Sequence, residues 1–199
     1  MRMRESERRA QIILSKLFDE YCSLTEYEAP DWIDKANSIA LEVTSAVSPD
    51  ISKQEAFCAK QVGKAIDSIP LKSIEAIEAV NMRLISSINE SGCKCGTVMG
   101  CSRVYTDLEH KLVLKAIEAK YQKKYSHYKH FALYILAYNI FCELFTNEWR
   151  EQVLKTARFC ESIYPTRFNR IIIDFYKKLL VFDLDTDCVS EYIYDDEIL

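Results

Sequence analysis

The stretch Tyr27–Val47, YEAPDWIDKANSIALEVTSAV, limits the fold more than any other part of the chain. It reads as a β-hairpin. Pro30-Asp31-Trp32 forms a short first strand, and Asp34–Ser38, with Asn37 inside it, is a polar connection rich in turn formers. Ile39-Ala40-Leu41-Glu42-Val43-Thr44 is the second strand. Side chains alternate across a strand, so Ile39, Leu41 and Val43 share one apolar face and Ala40, Glu42 and Thr44 share the other. A four-residue loop at 34–37 pairs Asp31 with Ala40 and puts Asp31 on that second face. Glu42 is then its diagonal neighbour, roughly 7–8 Å away. Two carboxylates at that spacing can hold one hard divalent cation. A slip of one residue sends Asp31 to the opposite face and destroys the arrangement.

Pro30-Asp31, ten further residues, then Glu42-Val43-Thr44 resembles the PD-(D/E)XK signature of the restriction-endonuclease-like nuclease superfamily. The segment IALEVTSA is similar to that of an uncharacterised bacterial subgroup with an E-V-T strand. The resemblance covers about residues 5–183, through the order helix, hairpin, helical insertion, basic helix, buried strand, helix and terminal strand pair. It implies an α/β fold, a restriction-endonuclease-like central mixed sheet flanked by helices. It also implies Mg2+ or Mn2+ held by Asp31, Glu42 and the backbone carbonyl of Val43. The superfamily's lysine falls on Thr44, which carries no positive charge. A helix of the form I-x2-K-x2-K before the buried strand is matched by Ile117, Lys120 and Lys123. Lys120 is therefore the candidate for a migrated lysine, with Lys115 and Lys123 behind it. A third acid from the first helix is also implied. Glu5, Glu7 and Glu20 are available, and Glu20 is preferred because it lies closest to the hairpin. The alternative for all these acids and lysines is a solvated helix face.

Composition sets wider bounds. A chain of 199 residues, 49% hydrophobic and 28% charged, can bury a core as a single domain. Four Gly and four Pro favour long helices. The net charge of −4 argues against a protein that coats nucleic acid, yet a local basic patch suffices for a nuclease. No apolar run approaches the roughly 20 residues of a membrane span, and MRMRESERR lacks the apolar segment of a secretory signal. A cytoplasmic protein with free cysteines is the expectation for its eight Cys, most of which sit in apolar settings such as Phe141-Cys142 and Phe159-Cys160. Cys93, Cys95 and Cys101 have a C-x-C-x5-C spacing without paired knuckles or a neighbouring His, which disfavours zinc.

Periodicity predicts the remaining elements. Residues 4–25 read as an amphipathic helix with Ala10, Ile13, Leu14, Leu17, Phe18 and Tyr21 inward. Ser52 and Glu55 form a capping box that opens a helix ended by Pro70, and a further helix runs over 71–89. These helices form an insertion at about 51–90. Residues 90–106 read as a Gly- and Cys-rich loop, or as a hairpin of Thr97–Met99 with Arg103–Tyr105. A basic helix spans 107–125, with Leu108, Leu112, Ala116, Ala119 and Lys123 along one stripe and Val113, Ile117 and Tyr121 widening its apolar face. His130–Tyr138 is a buried strand. A helix capped by Thr146 or Asn147 covers 146–162, and strands follow at 168–174 and 178–183. The acidic tail 184–199 ends as a strand or in disorder.

Three functions fit this pattern. One is a metal-dependent nuclease cutting DNA or RNA, of the kind used in bacterial or phage conflict. The second is an inactive nuclease-fold module that binds nucleic acid or a protein. The third is an unrelated α-rich interaction domain with Asp31 and Glu42 pointing apart. Homodimerisation is compatible with all three.

Overall fold

The computed structural model describes residues 5–47, 68–78, 83–88, 94–99, 107–137 and 145–195. The chain divides into two compact units, Val47–Thr106 and the remainder, Met1–Ala46 with Asp107–Leu199.

The larger unit is an α/β structure built on one seven-stranded mixed sheet. Its strands are β1 (Thr25–Glu26), β2 (Trp32–Asp34), β3 (Ile39–Ser45), β6 (His130–Leu136), β7 (Arg170–Asp174), β8 (Lys178–Asp183) and β9 (Cys188–Ile193), in that spatial order. β3, β6 and β7 run parallel, and every other neighbouring pair is antiparallel. The parallel strands are buried on both faces, which is why His130–Leu136 reads as a continuous apolar run.

Helix α1 (Glu5–Leu17) covers one face. Ala10, Ile13 and Leu14 share a core with Ile39, Leu41, Val43, Ala132, Tyr134, Ile172, Leu179 and Val181. Each large aliphatic side chain buried there contributes about 1.5–3 kcal/mol. The helix stops well before residue 25. Phe18 is extended, a 3-10 turn takes Asp19–Tyr21, and Tyr21 enters the core 2% exposed. One straight helix would have to serve both Leu14 and Leu24; the turn lets both reach the same core.

Helices α3 (Asp107–Tyr121) and α4 (Asn147–Ile163) belong to the other side of the sheet, where α3 meets β3 and β6 and packs on α4. Among the described side chains, the buried stripe of α3 is His110, Val113, Ile117 and Tyr121, whereas Ala119 is exposed. The core face therefore lies on the Val113, Ile117 and Tyr121 side of the expected apolar surface, away from Ala119. The helix ends at Tyr121 rather than at 125, because Tyr125 leaves the axis to pack on Phe131 and Phe168 at 5.1 and 6.2 Å. Thr146 occupies the N-cap position of α4 without a side-chain capping bond. The tail resolves in favour of a strand, β9, which pairs with β8.

One buried charge ties this unit together. Asp174, 0% exposed, accepts from Arg9 Nε at 2.9 Å, from the Tyr134 and Tyr194 hydroxyls at 2.5 Å each and from the Tyr176 amide at 2.7 Å. These bonds join α1 to β6, β7 and the segment after β9, and satisfy a carboxylate that burial would otherwise penalise heavily.

In the smaller unit, α2 (Leu71–Glu78) precedes a hairpin of β4 (Arg83–Ile88) and β5 (Lys94–Met99). The helix expected to run to 89 has given way to a strand by Arg83; the loop expected over 90–106 is a strand at Lys94–Met99, which contains the expected strand Thr97–Met99, while Arg103–Tyr105 lies outside the described residues. Leu84, Ile85 and Ile88 satisfy a helical spacing as well as a strand, an ambiguity that short apolar runs always carry. The expected helix opened by Ser52 and Glu55 falls almost wholly outside the described residues, as do Cys93, Cys101 and Tyr138.

Candidate functional site

The turn forms one residue later than expected, which shifts the strand pairing by two. β2 begins at Trp32, so Pro30 and Asp31 precede the strand. Trp32 pairs with Leu41, Ile33 with Ala40 and Asp34 with Ile39. The four-residue turn is Lys35–Ser38, not 34–37. Asp34 sets this register: its carboxylate accepts from the Asn37 amide at 3.1 Å, from Asn37 Nδ2 at 2.7 Å and from Ser23 Oγ at 2.5 Å. Those bonds lower its pKa from 3.8 to about 2. Ser38 takes φ 56°, closing the turn in the left-handed region. Both registers keep Asp31 on the same side as Glu42, because they differ by two residues in total. Extending the observed one brings Asp31 level with Glu42 itself.

Asp31 Oδ2 accepts a 2.7 Å hydrogen bond from the amide of Val43. Burial raises the Asp31 pKa above 3.8; the Val43 amide and Lys120 oppose the rise, and the charges of Glu42 and Glu7 add to it. Asp31 and Glu42 therefore act on each other electrostatically and do not point apart.

Glu42 is 2% exposed at the middle of β3. Two ammonium groups reach its Oε1. Lys120 Nζ makes a short contact there and a second bond to the Val43 carbonyl at 3.2 Å. Lys123 Nζ lies 3.2 Å from the same Oε1. Lys120 belongs to the last turn of α3, where the helix dipole favours a cation. Its side chain is 13% exposed, against 55% for Lys123. Burial lowers the Lys120 pKa below 10.5, with Glu42 opposing. The Thr166 hydroxyl donates to the Lys123 carbonyl, fixing the chain just past the helix end.

Tyr125 completes the group. Its hydroxyl is buried next to the Glu42 carboxylate, without a well-formed hydrogen bond to it. Burial, then the charges of Glu42 and Asp31, raise its pKa, so the phenol stays protonated. Periodicity assigned Tyr125 to the end of a helix and gave no signal for this placement.

The other expected residues lie elsewhere. Glu20 pairs with Arg170, and the α1 acid whose charge reaches Asp31 is Glu7. Lys115 is exposed on α3. Thr44 is half-buried in β3, its backbone paired with Ile135. Among the described residues, no three His, Cys, Asp or Glu side chains gather as a metal cluster. The thiols of Cys22, Cys160 and Cys188 are free. Two carboxylates and one carbonyl are hard oxygen donors and suit Mg2+ or Mn2+ rather than zinc. Lys120 now bonds two of those three donors.

A scan against protein-family models finds no match, and searches of curated proteins and of solved structures find none either. No helix among the described residues is long and apolar enough to cross a membrane.

Proposed function

We propose that this protein is a metal-dependent phosphodiesterase acting on nucleic acid, with a restriction-endonuclease-like core. The observation that carries the reading is the convergence of Asp31, Glu42, the Val43 carbonyl and Lys120 from three separate parts of the chain. A divalent cation held by Asp31, Glu42 and the Val43 carbonyl would supply Lewis-acid activation of the scissile phosphate and its water. Asp31 is oriented for this by the Val43 amide. Lys120 stands where Thr44 cannot act. Its ammonium would orient the attacking water and steady the charge that develops as the water oxygen joins phosphorus, its proton passes to solvent and the ester bond breaks. Lys123, more exposed, offers charge to a non-bridging phosphate oxygen. Tyr125 remains a proton donor next to the acids.

The test is cleavage of single- and double-stranded DNA and RNA with Mg2+ or Mn2+. The reading expects metal-dependent nicking that Glu42→Gln and Lys120→Met abolish. Failure with every substrate, together with no divalent-ion binding, overturns it.

One observation favours a second reading, a binding module without catalysis. Lys120 and Lys123 already neutralise Glu42, as a site that no longer takes a cation would require. That reading expects nucleic-acid binding with no effect of divalent ions.

A further inference from the structure

A cavity of about 590 Å3 opens between residues 125–129 and 165–169, within the size range of small-molecule sites. Tyr125 lines it and also stands in the field of Glu42 and Asp31, so the cavity and the acid–lysine cluster share a wall. Thr166, which bonds the Lys123 carbonyl, is a second shared element.

The cavity has an aromatic floor. Tyr125, Phe131 and Phe168 pack on one another, and Tyr128 lies 5.6 Å from Phe131. Phe131 and Phe168 are buried, whereas Tyr128 is half-buried and offers part of its ring to the opening. The rim carries charges of both signs, among them two cations without an acidic partner. Lys129 and Arg167 are exposed and have no side-chain ion pair among the described residues. Arg158 is paired with Glu161 and Asp187, and Asp185, which accepts only from the neutral Asn169 amide, keeps its negative charge at the rim. Two uncommitted cations beside exposed aromatic surface depart from the −4 charge of the whole chain.

We propose that this cavity binds one nucleotide of single-stranded nucleic acid, with its base on Tyr128 and its phosphate on Lys129 and Arg167. The inference rests on the phosphodiesterase reading only in placing the scissile phosphate next door, at Glu42. Aromatic stacking needs a base face, which a duplex hides and a single strand exposes. Two cations on a rim recognise the phosphate that comes with such a base.

Fluorescence anisotropy with a labelled 12-nucleotide single strand, in EDTA so that no cleavage intervenes, tests this. Lys129→Ala with Arg167→Ala is expected to weaken binding at least tenfold, and to flatten the slope of log affinity against log salt by about 1.4, two contacts at about 0.7 each. Tyr128→Ala is expected to weaken binding about tenfold, with Tyr128→Phe equal to the unaltered protein. Deoxyribose and ribose versions of one sequence separate DNA from RNA; binding of either supports the subsite, and binding of neither overturns it. Unchanged affinity in the double variant overturns it too, as does equally tight binding of a blunt duplex. If cleavage is never found but the double variant still loses binding, the catalytic reading falls and the subsite stands. If metal-dependent cleavage is found and the double variant binds normally, the reverse holds.

Discussion

Lys120 donates to Oε1 of Glu42 across 78 positions of sequence, and the same ammonium reaches the Val43 carbonyl at 3.2 Å. It thus sits on two of the three oxygens offered to a divalent ion. Lys120→Met should separate two properties. Mn2+ affinity should rise, because the competing charge is gone, while cleavage is lost. Stability should fall by about 3 kcal/mol, the low end for breaking a buried pair, since Lys123 remains beside Glu42. Calorimetry, a cleavage assay and urea unfolding of one variant check all three.

Asp31 gives the pH-dependent signature. Its carboxyl is raised above 3.8, chiefly by burial. The folded state therefore holds the proton more tightly than the unfolded state, and ionisation costs stability as pH rises through and beyond about 4. Asp31→Asn keeps an acceptor for the Val43 amide and cannot ionise. It should melt above the unaltered protein at neutral pH and match it near pH 3, while losing Mn2+ binding. A melting series from pH 3 to 8 reads this directly. Stability gained as binding is lost marks a group kept for function.

Asp34 has the opposite sign. Hydrogen bonds from Ser23 and Asn37 hold its pKa at about 2. Its contribution is fully present above 3.8 and is lost as pH falls toward about 2. Asp34→Ala should lower the denaturant midpoint at neutral pH, with the gap closing in acid. Because Asp34 clamps the turn that sets the register of β2 on β3, the variant should also weaken Mn2+ binding without touching the ion.

How much of this was legible in sequence depended on the range of the interaction. The faces of Ile39–Thr44 follow from period-two alternation, which is local, so the acid face and the core face of β3 were readable. The turn position was not. Choosing between 34–37 and Lys35–Ser38 turns on which residue clamps the turn, and Asp34 does so with Asn37 inside the hairpin and Ser23 outside it. Lys120 was reachable through the I-x2-K-x2-K resemblance. Choosing Glu7 over Glu20 among the acids of the first helix, and placing Tyr125, was not possible, because both depend on where α1 and the chain after α3 settle against the sheet. Ile85 and Ile88 fit a helix and a strand equally, and the pairing of β4 with β5 decided between them.

Asp174 offers a test of the fold apart from the site. Four donors from α1, β6 and the chain flanking β8 and β9 meet on a carboxylate with no exposure. Asp174→Ala leaves the Arg9 charge without its carboxylate and the buried Tyr134 hydroxyl without its acceptor, and should cost about 3–5 kcal/mol. Chemical denaturation measures the loss. Mn2+ affinity, measured where the variant is still folded, should be unchanged, since Asp174 is on a different strand from both Asp31 and Glu42.

The most direct test of the central claim is Mn2+ titration of the unaltered protein, Asp31→Asn and Glu42→Gln by calorimetry, with folding of each checked by circular dichroism. The account predicts one high-affinity Mn2+ per chain, weakened at least tenfold by either substitution. No Mn2+ binding by the unaltered protein, or equal binding by all three, would contradict it.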